Sequence, residues 1–79
     1  MNKKIYLAVL NGKSDSNISY VDFQNLILAL GFELQRQKGS HTMYYHNDIK
    51  EFLNVQKDGA KAKSYQVKQL RQIIIKHNL

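Results

Sequence analysis

The sequence predicts an α+β domain of order α-α-β-β-β-α, in which helices pack on one face of a three-stranded antiparallel sheet. Three observations support this fold class. A well-capped helical repeat lies in the first half of the chain, three short alternating segments follow it, and a second helical repeat ends the sequence. Because 79 residues have room for only one hydrophobic core, residues 1–79 are expected to form a single domain.

Two helices are predicted in the first half, over residues 2–10 and residues 19–31. Ser19 can cap the second helix, with Asp22 three positions on as in a capping box. Gly31 can end it, because a left-handed backbone costs glycine least. The apolar side chains at helical spacing are Phe23, Leu26, Ile27 and Leu30.

Three strands joined by short turns are predicted next. They cover residues 32–37, 41–46 and 51–56. The first alternates Phe32, Leu34 and Arg36 with polar residues, and in the third Leu53 and Val55 share a side. Two successive hairpins predict an antiparallel meander.

The last helix is predicted over residues 65–77, after a basic loop that opens at Asp58 and runs through Lys63. Ser64 stands where it can cap this helix. Its predicted buried side chains are Val67, Leu70, Ile73 and Ile74.

Positive charge is concentrated in the last third of the chain. The net charge is +6, and residues 57–79 carry six basic side chains against Asp58 alone. Such a surface favours nucleic acid, although a solvated helix face gives the same pattern. There is no cysteine and no apolar run long enough for a signal peptide or a membrane span, so we expect a cytoplasmic protein without membrane contact.

Metal and cofactor chemistry have little support in the sequence. His41 and His46 lie five residues apart on one predicted strand and therefore point to opposite faces. The carboxylates are scattered, and the chain has no phosphate-cradling Gly-rich loop and no Cys nucleophile. We expect neither a metal nor a cofactor.

The segment Lys38-Gly39-Ser40-His41 carries the most informative chemistry. A Gly-Ser turn can aim backbone N–H groups at a phosphate, and Lys38 adds positive charge. Metal-free RNA cleavage needs a base for the 2′-hydroxyl proton and an acid for the leaving oxygen, and histidine can serve as either near neutral pH. From spacing alone, the favoured interpretation is that His41 is a half-exposed strand histidine without a task.

Aromatic side chains offer a further way to bind RNA. Tyr44, Tyr45 and Tyr65 can stack on bases. One of Tyr44 and Tyr45 must face the core, because neighbours on a strand point to opposite sides. Tyr45 has the same parity as His41.

Several short motifs together resemble the HicA toxin family. They are Gly31-Phe32, Lys38-Gly39-Ser40-His41, Tyr44-x-His46 and Lys63-x-Tyr65-Gln66-Val67-Lys68-Gln69. The resemblance covers about residues 19–79. It implies a double-stranded-RNA-binding-domain-like fold and an mRNA endonuclease activity that a HicB-type antitoxin neutralises. It assigns the catalytic role to His41 and the turn glycine to Gly39.

The sequence departs from the family at two positions. Thr42 stands where members often have a second histidine, so the second proton-transfer group is not identified. Ser64 stands where proline is frequent, and both residues suit a helix start.

The leading hypothesis is a metal-independent RNA endonuclease that is monomeric when free and has mRNA and a HicB-type antitoxin as partners. His41 is its predicted catalytic residue. The predicted RNA- and phosphate-binding residues are Lys38, Gly39, Ser40, Lys57, Lys61, Lys63, Lys68 and Arg71. Two alternatives remain: a non-catalytic RNA-binding module of the same fold, and an interaction subunit whose basic surface meets an acidic partner protein.

Overall fold

The computed structural model describes residues 2–79, which form three helices and a four-stranded antiparallel sheet. In chain order the elements are α1 (Lys3–Asn11), α2 (Tyr20–Ala29), β1 (Glu33–Lys38), β2 (His41–His46), β3 (Glu51–Asp58), β4 (Lys61–Ala62) and α3 (Ser64–His77). The strands are ordered β1-β2-β3-β4. The predicted α+β class is confirmed, with one short strand added to the predicted sheet. In the described part of the chain, no helix is long and apolar enough to cross a membrane.

Strand β4 corrects the prediction of a plain loop between Asp58 and Lys63. It pairs with β3, and the Ala62 N–H donates to the Ile18 carbonyl at 2.9 Å. Just before it, the Ala60 carbonyl accepts from the Tyr20 N–H at 3.0 Å. The segment therefore holds the start of α2 against the end of β3.

Strand β1 also departs from the predicted pattern. All six of its residues are exposed, and the register with β2 shifts between Leu34 and Arg36. This irregularity breaks the predicted alternation, and Leu34 remains 53% exposed. The buried member of the predicted series is Phe32, which lies just before the strand.

The two longer helices form largely as predicted. The Ser19 hydroxyl accepts from the Asp22 N–H at 3.4 Å, and Gly31 follows α2 with φ near +102°. Helix α3 begins one residue earlier than predicted, so Ser64 is its first residue and Lys63 is its N-cap, without a side-chain cap bond. The apolar side chains buried between the helices and the sheet include Val9, Phe23, Leu26, Ile27, Leu53, Val55, Val67, Leu70 and Ile74.

The sheet has a helix-facing side and an open face. Along β2 burial alternates, so that Thr42 and Tyr44 are buried, as is His46 at its end. Their cross-strand partners Val55 and Leu53 are buried with them. The residues between them on β2 point to the open face, because strand neighbours alternate. The predicted separation of His41 from His46 is confirmed.

Candidate nucleic-acid interface

The hairpin between β1 and β2 carries the predicted catalytic residue. Lys38 and His41 are cross-strand partners, and Gly39 and Ser40 form the turn between them. Gly39 has φ near +60°, where glycine is least strained, and the space beside its Cα is open. The His41 side chain is exposed at the end of the open face. A substrate can therefore reach both the turn and the imidazole.

A short hydrogen-bonded chain brings a cation to this turn. The Gln56 Nε2 donates to the Ser40 hydroxyl at 3.1 Å, and the Lys63 Nζ donates to the Gln56 Oε1 at 2.9 Å. The Gln56 N–H in turn donates to the Gln66 Oε1 at 2.9 Å. Gln56 is the cross-strand partner of His41 on β3. Lys63 is thus linked by two hydrogen bonds to the residue that precedes His41.

Gln56 is a site residue that the sequence did not single out. Its amide connects Ser40 and Lys63, which lie 23 positions apart in the chain. The only sequence signal was its place at the end of the third predicted strand. That place predicts pairing with the start of β2 but not the direction of its side chain.

A groove of about 330 Å³ lies on the other side of the same turn, between α2 and the helix-facing side of the sheet. Thr42, which is 3% exposed, and Lys57 both line this groove. The remaining lining residues are Tyr20, Val21, Gln24, Gln37, Gly39 and Ser40. The turn therefore separates two surfaces, with His41 on one and the groove on the other.

Three of the other predicted RNA-binding residues lie in different surroundings. The Lys61 Nζ donates to the Asn17 Oδ1. The Arg71 guanidinium forms a two-point ion pair with Asp15 at 2.9 and 3.0 Å and also donates to the Val9 carbonyl. Lys68 is exposed on α3.

The Arg71 ion pair gives that side chain a structural task. The hydrogen bond to Asp15 raises the Arg71 pKa further above its usual value, against desolvation. The two side chains are only 19% and 12% exposed. The pair links α3 to the loop that follows α1. The role of Arg71 in RNA binding stays a prediction.

The tyrosines divide between the core and the surface. Tyr44 is buried, and burial raises the pKa of its phenol, while the hydrogen bond from Gln24 to its oxygen lowers it. Tyr45 lies on the open face, where its ring centroid is 4.4 Å from that of Phe52. Tyr65 is 60% exposed at the start of α3. The expectation that one of Tyr44 and Tyr45 faces the core is confirmed.

The other two histidines, His46 and His77, lie near the opposite end of β2 from His41. The His46 Nε2 lies 2.9 Å from the Leu30 carbonyl, and the His77 Nε2 donates to the Glu51 carboxylate at 2.8 Å. Glu51 pairs with His46 at the opposite end of β2 from His41. Across residues 2–79, no three carboxylate or histidine side chains come together as metal ligands do.

Comparison with protein families agrees with this architecture. A family model described as the HicA toxin of bacterial toxin–antitoxin systems matches residues 21–77, which include α2 except its first residue, the whole sheet and α3. Comparisons with curated proteins and with solved structures give no match. The family match takes in the Gly-Ser-His turn, Gln56 and Lys63. The chain therefore belongs to the HicA toxin family, the toxins of bacterial toxin–antitoxin systems.

Proposed function

We propose that this toxin is a metal-independent mRNA endonuclease that uses His41 for proton transfer. The observation that carries the proposal is the geometry of the β1–β2 hairpin. An exposed imidazole follows a Gly-Ser turn, and Gln56 connects that turn to the Lys63 ammonium group. A titratable group, an open backbone turn and a cation are the parts that metal-free phosphodiester cleavage requires.

His41 would act as general base towards the 2′-hydroxyl or as general acid towards the leaving 5′-oxygen. Histidine side chains can fill either role in RNA cleavage, and the exposed His41 imidazole is open to a substrate. Gly39 and Ser40 would position the scissile phosphate through the backbone of the turn. Lys63 would stabilise the charge that develops on the phosphorane, since the Gln56 amide holds it beside the turn.

The RNA backbone would be held by exposed lysines, two of them beside the turn or the groove and one on α3. We propose Lys38, Lys57 and Lys68 for this role, because all three are exposed. Lys61 and Arg71 are weaker members of the set, since Asn17 and Asp15 already bind their cationic groups. Phosphate contacts of this kind give binding that falls with salt concentration.

The HicA family is paired with HicB antitoxins, and we propose a HicB-type protein as the second partner. A neutralising partner has to deny RNA access to His41, so it would cover the β1–β2 hairpin. The free toxin would be a monomer in the cytoplasm.

The deciding experiment compares growth and RNA integrity after induction of the native chain, His41→Ala and His77→Ala. His77 is the matched control, because it lies with Glu51 at the other end of β2. The native chain and His77→Ala should arrest growth and fragment mRNA, whereas His41→Ala should lose about 10²–10⁴-fold in cleavage rate. All three must first give the same circular dichroism spectrum.

Other outcomes point to the alternatives. If purified native chain binds RNA in low salt without cleaving it, and His41→Ala binds equally, the protein is an RNA-binding module and the nuclease proposal is wrong. If neither variant binds RNA at low salt, the basic surface serves an acidic partner protein.

A further inference from the structure

The groove behind the β1–β2 turn has no role in the chemistry proposed for His41. It is about 330 Å³ in volume, which is within the range of small-ligand sites, and it opens to solvent beside the turn. Thr42 forms part of its buried wall, while His41, the preceding residue, points to the open face. The two surfaces thus adjoin across one peptide unit.

The charge of the groove favours an anionic ligand. Among the lining residues that the structure describes, Lys57 is the only charged one and none is a carboxylate. The Lys57 side chain is exposed at the mouth of the groove, where an ammonium group can meet a phosphate without the cost of burial. The Ser40 hydroxyl, on the same rim, can donate to a phosphate oxygen.

The remaining lining suits a nucleobase. Gln24 and Gln37 present primary amides from opposite walls, α2 and β1, and an amide can pair with the hydrogen-bonding edge of a base. The Gln24 Nε2 donates to the Tyr44 hydroxyl at 3.1 Å, which fixes that amide, and an amide oxygen can accept from a base. Tyr20, which is half-buried, adds an aromatic ring.

We propose that this groove binds one nucleotide of the RNA substrate, the nucleotide that adjoins the scissile phosphate, with Lys57 on its phosphate and the amides of Gln24 and Gln37 on its base. The inference rests on the proposed nuclease function for its place in the substrate. A phosphate at Gly39 and Ser40 touches His41 on one side and the groove on the other, so the neighbouring nucleotide is the one within reach.

The site selects single-stranded RNA. A base that enters a groove between a helix and a sheet has to leave its stack, and that costs little only in an unpaired strand. A basic turn alone would bind either form of RNA through phosphates. The groove therefore adds base contacts to the phosphate contacts of the turn.

The test is a titration of His41→Ala protein, followed by the ¹H–¹⁵N NMR signals of its backbone and side-chain amides. His41→Ala is used because it lacks the proposed catalytic imidazole, so the titration reports binding alone. The ligands are the four nucleoside 3′-monophosphates, the four nucleosides and inorganic phosphate. We expect at least one nucleotide to shift the signals of Val21, Thr42 and the Gln24 and Gln37 side chains, with a Kd of about 0.1–10 mM.

Two variants in the same background localise the binding. Lys57→Gln should weaken binding of the preferred nucleotide about three- to tenfold, and Gln37→Ala should reduce discrimination between the four bases. Lys4→Gln is the matched control. It removes the same charge from an exposed position on α1, which contributes no residue to the groove, and should leave the Kd unchanged.

The proposal is overturned if inorganic phosphate shifts the same signals as strongly as the nucleotides do, because the groove then binds only an anion. It is also overturned if the nucleotides shift only open-face signals, or if the groove signals move only when a HicB-type antitoxin is added. If the native chain cleaves RNA but no groove signal shifts, the nuclease function stands and the nucleotide site in the groove is wrong. Nucleotide binding in the groove of a chain that cleaves nothing supports the site and rejects the nuclease function.

Discussion

The imidazole of His46 lies directly against the backbone of Gly31. A Cβ placed on Gly31 would come within 2.6 Å of the His46 Nε2. The same nitrogen lies 2.9 Å from the Leu30 carbonyl. The imidazole also packs edge-on against the Phe32 ring, with 5.1 Å between the two ring centroids. Two of the motifs that resemble the family, Gly31-Phe32 and Tyr44-x-His46, therefore form one structural contact between the end of α2 and the end of β2.

This contact predicts that Gly31→Ala is strongly destabilising. The substitution adds a Cβ at φ near +102° and pushes it into the His46 imidazole, so we expect a loss of about 2–4 kcal/mol in the free energy of unfolding. Urea denaturation measures the loss. Gly39→Ala is the control, because its φ is also positive but no atom lies within 4 Å, and it should cost about 1 kcal/mol. Equal losses in the two variants would show that the His46 contact is not restrictive.

The ion pair between Arg71 and Asp15 predicts that Arg71 acts mainly on stability. Arg71→Lys keeps the charge but loses the two-point geometry and the bond to the Val9 carbonyl, so it should cost about 1–2 kcal/mol of unfolding free energy. RNA affinity, measured by fluorescence anisotropy, should stay within about twofold of native.

Lys68→Ala tests the opposite case, a residue that is expected to act on RNA binding and not on stability. This exposed side chain should change stability by less than about 0.5 kcal/mol, while RNA binding and its salt dependence weaken. If Arg71→Lys keeps full stability and loses RNA affinity, the ion pair is unimportant and the original assignment of Arg71 to RNA binding is right.

Much of the framework was predictable because local sequence determines it. The Ser19 cap, the glycine after α2 and the alternation along β2 all formed as expected. The irregularity in β1 was not predictable from the sequence. The polar residues that alternate with apolar ones there, such as Gln35 and Gln37, give no sign of where the register shifts. A two-residue strand such as β4 is too short to show any period.

The candidate site divides in the same way. His41 and the Gly-Ser turn were visible in the sequence because they are contiguous. The partners Gln56 for Ser40 and Asp15 for Arg71 lie 16 and 56 positions away, and only the folded chain brings them together. The groove was not predicted for the same reason, because α2, β1, β2 and β3 all contribute to it.

The hydrogen bond between His77 and Glu51 predicts that the protein loses part of its stability at acidic pH. This bond, followed by the contact with Lys76, lowers the Glu51 pKa below its ordinary 4.5, so the carboxylate stabilises the fold above that value. The contribution is lost as pH falls through the lowered pKa. Urea midpoints measured between about pH 6 and pH 3 should therefore fall less in Glu51→Gln than in native chain. Parallel curves for the two proteins would rule the contribution out.

The position of Thr42 predicts that a histidine there cannot supply the missing proton-transfer group. Thr42 is buried on the helix-facing side of β2, whereas the His41 side chain points to the open face. In Thr42→His the new imidazole would enter the groove rather than join His41. We expect cleavage of a single-stranded RNA to fall, with no new acidic or basic limb in the pH dependence of kcat/KM. Thr42→Val is the control, because it removes the hydroxyl and keeps the volume. A rise in kcat for Thr42→His, with a new limb near pH 6–7, would show that the second histidine reaches the reacting phosphate despite its side of the strand.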